Sequence, residues 1–492
     1  MKFKYLVAAA MMGMVVLPSC NNFLDITQEN TNPTEAINYQ DLSQMYAPVS
    51  GVYAVARSKF TQWEIAPIFN IRGDEVTKGG GSDADQHDYL ELEHFNYSAI
   101  QNFWALNNAW MALYGVVYNT FDNQKLLDNF KPYLKTDKDQ ALYAQYRGEI
   151  VFHRALAYYF IANLWGDAPI IPEDNQMAVV IPKSSQQEIR SSVIDMLKDV
   201  LPALPAQQPE HPGAVTKYAA EMLIAKVALQ TKDMATVKQM TDDIIANGGF
   251  KLVAGAEYSK LFQRDGKLSP ESLYEFQYTD FGNASGDNIY GGSWFQSQGP
   301  RGGFAPITGW GFGTLEPGFI KFMKDRGEKM RYQVDVLESG KTTPEGDVIP
   351  LFNPSYAPYN GDTANYNGKA YNPANQTTPG RTQYGTDNNI RLFRYADVLL
   401  MNAEAKLSLG GDAATPLNQV RHRAGLQAIA NPTLDDILNE RRAELSVEWG
   451  NRFDDLVRTD KAKEVLKGFV KGQSEFLPYP TAQVDLNPEL AK

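Results

Sequence analysis

A mostly α-helical fold, interrupted by one loop-rich insertion, is what this chain of 492 residues predicts. Three observations lead there. Apolar residues recur at spacings of three and four over long stretches on both sides of the chain's middle. Those stretches come in pairs, closed by Gly or Pro stop signals. Between them, from roughly residue 250 to 390, the helical period gives way to Gly, Asn, Pro and Tyr.

The first element is not part of the fold. MKFKYLVAAAMMGMVVLPSC opens with Lys2 and Lys4, continues in an apolar run from Leu6 to Leu17, and ends in Leu-Pro-Ser-Cys. A run of about a dozen residues is too short to span a bilayer core of roughly 30 Å, and the pattern is that of a secretory signal peptide. Leu17 three positions before Cys20, with small Ser19 between, has the spacing of a bacterial lipobox. The reading is acylation of Cys20 after removal of residues 1–19, over a plain signal peptide with an incidental cysteine or a buried N-terminal helix. Cys20 is the only cysteine, so no intramolecular disulfide supports the fold. Several acyl chains supply the anchor that stable membrane attachment needs. Residues 20–40, rich in Asn and Thr, read as a tether.

The helical blocks follow at 41–250 and 391–492. In ALYAQYRGEIVFHRALAYYFIANLWGDAP, Leu142, Tyr146, Ile150, His153, Leu156, Phe160 and Leu164 fall on one helical period, and Gly166 and Pro169 stop it. VTKYAAEMLIAKVALQ and DMATVKQMTDDIIANGG form a pair. FRYADVLLMNAEAKLSLGG with TPLNQVRHRAG repeats the style, and LDDILNERRAELSVEWG reads as one more helix. Paired helices joined by short turns point to tetratricopeptide-like packing, although the strict repeat motif is absent. In the insertion, 251–390, residues 279–318 alone hold 11 of the 38 glycines, and SLYEFQY alternates as a short strand does.

Charge and motifs exclude much. The net charge is −12, and −14 once Lys2 and Lys4 are lost, so phosphate backbones repel the chain and nucleic acid is not an expected partner. SGKTT lacks the first glycine of a phosphate loop, which would stand at Asp335; GWGFGT fails a dinucleotide fingerprint at Thr314. SDADQHDYLELEH gathers Asp83, Asp85, Asp88, Glu91 and Glu93 with His87 and His94, but lacks a calcium loop's central Gly and final Glu. It reads as a solvated acidic loop. No nucleophile elbow or zinc helix appears, and neither a cofactor nor a metal is expected.

Aromatic residues carry more. Sugars present C–H faces ringed by hydroxyls, so their sites need exposed rings beside amides and carboxylates. Trp104 lies in NYSAIQNFW, and Tyr290, Trp294 and Trp310 lie in the glycine-rich stretch near Asn283, Asp287 and Asn288. Trp110, Trp165 and Trp449 sit on helical patterns and read as core. For Trp294 and Trp310 ligand contact is slightly favoured over ordering a glycine-rich loop, and Trp63 fits either role.

Several ordered segments resemble the SusD/RagB lipoproteins. RALAYYFIANLWGDAPII resembles that family's R-A-x-x-Y-F-x-L-x-x-x-W-G-D-x-P helix ending, and IRLFRYADVLLMNAEA its R-Y-A-D-x-L-L-x-x-A-E-A helix. LNQVRHRAGL, ILNERRAELSVEWGNRFDDLVR and FLPYPTAQVDLNPEL follow in order, with CNNFLDI and IRGDEVTKGGGS near the front. The ending NPELAK departs from the N-P-G-Y-like ending of many members.

The resemblance implies a right-handed scaffold of four tetratricopeptide-like helix pairs with an irregular subdomain packed on it. It implies a non-enzymatic, lipid-anchored protein on the cell surface of a Gram-negative bacterium. There it would capture a nutrient glycan and sit over a SusC-like TonB-dependent transporter in the outer membrane. Peptide capture of the RagB kind is the alternative; a surface hydrolase and a ligand-free partner of the transporter are further readings. The ligand segments it implies are 74–104 and 280–312, with Asp74, Lys78, Tyr89, Trp104, Tyr290, Trp294 and Trp310 as contact candidates. Arg154, Trp165 and Asp167, then Arg394, Asp397 and Glu404, and Glu440, Arg441, Arg452 and Asp454, are expected to hold the scaffold.

Overall fold

Capping residues set the starts of the helices that the periodicity predicts. The computed structural model describes residues 37–279, 292–301, 309–351, 365–376 and 386–492. The first helices are α1 (Ala47–Phe60), the short α2 (Ile65–Asn70) and α3 (His87–Glu93), and the long α4 (Trp104–Asp128). Helix α5 (Asp137–Trp165) opens with a capping box between Thr136 and Asp139, and α6 (Gln186–Val200) with one between Ser185 and Glu188. Thr216 caps α7 (Lys217–Gln230) and Asp233 caps α8 (Met234–Asn247). At the end of α5, Gly166 takes a φ of 71°, open to glycine without steric cost.

Packing explains why α5 reads apolar on every side. All residues from Gly148 to Trp165 are buried, with α4 on one flank and α6 on the other. His153 is enclosed here, its Nε2 2.7 Å from the Tyr274 hydroxyl, and burial pushes its pKa down to about 4. Helix α7 packs on α8. After the insertion, α12 (Tyr395–Ser408) closes on α8 and on α13 (Ala414–Arg423), and α14 (Leu434–Glu444) and α15 (Asn451–Arg458) complete the block. The fold is therefore mostly helical, as the sequence predicts, and built from neighbouring helix pairs. All these elements belong to the unit Tyr39–Lys492.

In the insertion, β1 (Ser272–Phe276) pairs antiparallel with β4 (Ile390–Arg394), Tyr274 opposite Phe393 and Phe276 opposite Ile390. Helices α9 (Gly292–Gln298), α10 (Pro317–Asp325) and α11 (Met330–Asp335) follow, and β2 (Val336–Glu338) pairs with β3 (Asn365–Asn367). One hydrophobic core runs through both regions, joining Phe160 and Leu399 of the helices to Phe276, Trp294, Phe319 and Val336 of the insertion. The chain's end docks too: the Leu477 N–H donates to the Leu164 carbonyl at 2.7 Å, and Leu490 is buried.

One helix stops earlier than its pattern. LDDILNERRAELSVEWG leaves the helix at Glu444, so Trp449 lies in a turn and not on a helix. Val447, Trp449 and Gly450 have φ values of 53°, 52° and 70°. Such a conformation is costly for a β-branched residue, and surrounding contacts impose it. The Glu75 carboxylate accepts from the Val447 N–H at 2.8 Å, while the Asn70 side chain bonds both the Val447 carbonyl and the Gly450 N–H, each at 3.1 Å. Trp449 is thereby inserted among Phe69, Phe160, Phe276 and Trp294, its indole N–H on the Arg391 carbonyl at 2.8 Å.

A buried ion network fixes this turn. Arg394 pairs with Glu271 at 2.7 Å, Glu444 at 3.0 Å and Glu448 at 2.7 Å. Arg423 joins Glu271 and Glu444, and Arg331 joins Glu440 at 2.8 Å and Glu444 at 3.1 Å. Lys369 reaches Glu448 at 2.8 Å. A second cluster links α7, α12, α14 and α15 through Lys226, Asp397, Arg441, Asp455, Arg458 and Glu404. The surrounding guanidiniums hold the Glu444 carboxyl well below the usual carboxylate range, against the opposing effect of burial. Removing one partner of a buried pair strands the other, which costs roughly 3–5 kcal/mol. Arg394→Ala is therefore expected to lower the melting temperature and leave ligand affinity intact in the folded fraction. Thermal unfolding beside a binding titration checks this, and lost binding at unchanged melting temperature would contradict it.

Candidate functional site

Two segments distant in sequence are zipped together at the edge of the insertion. Val76 pairs with Leu315 and Gly79 with Phe312 as antiparallel bridges. The Thr77 N–H donates to the Thr314 carbonyl at 2.8 Å, Gly313 to Lys78 at 3.0 Å, and Gly80 to Gly311 at 2.7 Å. Glycine is required where the strands meet. A Cβ on Gly79 would stand 2.1 Å from the Gly311 carbonyl oxygen, and the residue's φ is +67°. On its other side the same strand is held by the end of α9: the Trp310 N–H donates to the Gln296 carbonyl at 2.9 Å and Phe312 to Ser297 at 2.8 Å. Trp310 is thus clamped from both flanks.

That clamp brings Trp310 to two other tryptophans. Trp63, in the turn between α1 and α2, has its ring 5.2 Å from Trp310 and 5.6 Å from Trp104, at 89° and 51° respectively. Trp104, the first residue of α4, is 40% exposed, whereas Trp63 and Trp310 are half-buried. Phe312, Tyr89 and Phe103 form the floor. Polar groups rim it. The Trp104 indole N–H donates to Gln86 Oε1 at 3.2 Å, and Arg301 reaches the Trp310 carbonyl at 3.2 Å and Asp85 at 3.4 Å. The Asn108 amide donates to Glu64 at 3.2 Å. Partly exposed rings flanked by amides, a guanidinium and a carboxylate can stack on apolar faces and hydrogen-bond hydroxyls.

The residues singled out from sequence divide into surface and interior. Trp104 and Trp310 meet at the surface, joined by Trp63, which sequence reasoning left undecided. The only signal for Trp63 was its place in a turn, outside the core register of both flanking helices. Three candidates are corrected. Lys78 is fully buried, its Nζ donating to the Ser82 carbonyl at 2.6 Å; burial pulls its pKa down. Tyr89 is fully buried, its hydroxyl on the Glu64 carbonyl at 3.1 Å. Trp294 is only 6% exposed and stacks on Trp449 at 4.9 Å, so its ring is core. Asp74 is engaged by Arg452 at 2.7 Å and Arg442 at 2.8 Å, and so ties its loop to α14 and α15. Tyr290 lies outside the described residues, as do Asn283, Asp287 and Asn288. Trp110, Trp165 and Trp449 are buried. In the acidic loop, Asp85 accepts from the Gly81 N–H at 2.7 Å and Glu93 from the Lys78 N–H at 2.6 Å. Among the described residues no group of three His, Cys, Asp or Glu is placed to hold a metal.

Next to Asp74, Glu75 is fully enclosed, and burial pushes its pKa up to about 7 against the opposing Val447 N–H. A carboxyl near 4.3 in the unfolded chain and near 7 when folded binds its proton longer in the fold. Its contribution is therefore present below about 4.3 and declines as pH rises to about 7. Glu75→Gln keeps an acceptor for Val447 and is expected to flatten the decline of melting temperature between pH 5 and 8, relative to wild type. Identical slopes in the two proteins would refute this.

Residues 270–476 match a family described as "SusD family", and residues 22–229 one described as "Starch-binding associating with outer membrane". A "SusD-like protein" of Bacteroides ovatus is 25% identical over 92% of this chain and 82% of its own. Among solved structures, a "Laminarin binding SusD-like protein" superposes with a TM-score of 0.74 at 22% identity, over 90% of this chain and 97% of that one. "Surface glycan-binding protein A from Bacteroides thetaiotaomicron in complex with laminarihexaose" superposes at 0.71 and 22%, over 89% and 97%. Each matched region supplies one strand of the zipped junction, Val76 to Gly80 from the first half and Gly311 to Leu315 from the second, and the mostly helical fold agrees with both: the chain belongs to the SusD family.

Proposed function

We propose that this protein is a cell-surface lipoprotein that binds a nutrient glycan on the Trp63–Trp104–Trp310 face and delivers it to a SusC-like TonB-dependent transporter in the outer membrane. The observation that carries the reading is the convergence of three tryptophans from separate segments on a surface rimmed by Gln86, Arg301, Asp85 and Asn108. Trp104 stays 40% exposed beside two further rings, and a sugar's C–H face would cover such a group. Rings set at 51° and 89° to one another do not form a flat shelf. They favour a curved glycan chain over a flat ribbon. The names of the similar proteins, laminarin-binding and starch-binding, support a glucan as the first class to try.

The rest of the reading follows from the N-terminus and the scaffold. Cys20 lies outside the described residues, and its acylation would hold the protein at the membrane. Among the described residues no helix is long and apolar enough to cross a bilayer, which fits attachment by lipid. Capture and release, with no bond broken, is the activity.

Two measurements test this. The chain from residue 21 onward should bind laminarin or starch in a polysaccharide and peptide panel, and Trp104→Ala or Trp310→Ala should each weaken binding by roughly tenfold with folding intact. Unchanged affinity in both variants would remove the platform, and retention of peptides alone would move the protein to RagB-like capture. Separately, Cys20→Ala in cells should shift the protein from the membrane fraction to the soluble one; continued membrane retention would end the anchor reading.

A further inference from the structure

Along α1, on a stretch from Tyr46 to Arg57, lies a cleft of about 400 Å³ between that helix, the turn at 210–214 and the end of β1. Helix α1 has 14 residues, so at a rise of about 1.5 Å each the Tyr46 end of the cleft stands roughly 21 Å of helix from the turn that bears Trp63, whereas Arg57 lies in the last turn of α1. The cleft is preformed. Tyr46 and His211 stack at 3.7 Å with planes only 6° apart and make one wall. The His211 turn is closed by the Ala214 N–H on the His211 carbonyl at 2.9 Å, and pinned by the Val215 N–H on the Tyr53 hydroxyl at 2.7 Å. Gly213, at a φ of +83°, lets the turn approach β1: a Cβ there would meet Gln277 Nε2 at 2.4 Å.

The polar groups in the cleft are mixed in sign. Arg57 gives one N–H to the Gln277 carbonyl at 3.3 Å, and its buried Nε has no hydrogen-bond partner among the described residues. Glu210 is exposed at the rim with Ser50, whereas Glu275 is already engaged by Asn389 and Arg391 and adds no free charge. One cation facing one carboxylate gives no preference for an anion, so phosphate and nucleotide ligands gain little. A guanidinium, a carboxylate acceptor, a hydroxyl and a stacked aromatic wall suit a neutral polyhydroxyl compound.

We infer that this cleft is a second carbohydrate subsite, taking one or two sugar units of the glycan; the inference rests on the glycan-binding reading above. Two contacts on one chain raise the retention of a polymer over that of a short oligosaccharide, because the second contact forms at high effective concentration. The cleft would therefore act in holding polysaccharide, beside the tryptophan face.

Titration calorimetry with laminarihexaose and with maltohexaose tests it on wild type, on the double variant Trp104→Ala/Trp310→Ala, and on Arg57→Gln and Glu210→Gln placed in that double variant. Melting temperatures confirm folding of each. The expected result is two equivalents bound by wild type, one retained by the double variant, and that one weakened at least fivefold by either cleft substitution. A single wild-type equivalent that disappears in the double variant overturns the second subsite and leaves the tryptophan face standing. Residual binding that neither cleft substitution changes also overturns it. No binding of either hexasaccharide by wild type overturns both readings.

Discussion

The buried carboxylates of Glu444 and Glu448 are the point on which the rest of the structure depends. Each is met by more than one cation: Arg331, Arg394 and Arg423 for Glu444, Arg394 and Lys369 for Glu448. Taking such ions out of water is expensive, and the attraction between them offsets that cost only when the geometry is met on every side. The network is thus better seen as a constraint on position than as a store of stability. It fixes α14 against β4, α13 and α11, and it determines where the chain leaves the helix after Glu444.

From that turn two supports run to the aromatic face. Glu75 accepts from Val447, and Asp74 pairs with Arg442 and Arg452, so the segment before the Gly79–Phe312 bridge is tied to α14 and α15. Trp449 stacks on Trp294 in α9, whose last carbonyls hold the strand bearing Trp310. Interior charges and interior rings thereby position a surface tryptophan without touching a ligand. Under the proposed function, rings held in this way need little ordering when a glycan arrives, which limits the entropic cost of association.

The buried candidates show why spacing was a poor guide within the two segments proposed to carry the site. Lys78 and Trp104 belong to one stretch of sequence, yet Lys78 is enclosed by carbonyls and Trp104 is exposed. Trp294 and Trp310 share one glycine-rich run, yet the first faces Trp449 and the second Trp63. In irregular chain no period distinguishes an inward residue from an outward one, because each backbone angle is set by its neighbours in space.

The scaffold was legible because helical periodicity and caps are local. Leu142 to Leu164 on one face, Thr136 and Ser185 at helix starts and Gly166 at an end are properties of adjacent residues. The motif charges around Arg394 and Glu440 were recognisable as scaffold through the family resemblance, although Arg394 ends β4 and does not lie on the helix face that its spacing to Asp397 suggests. What only the tertiary structure decided is the gathering of Trp63, Trp104 and Trp310 from three separate segments, and the break after Glu444. Both depend on long-range contacts, the Gly79–Gly311 approach and the Glu75–Val447 bond, and no local pattern encodes which distant residues will supply them.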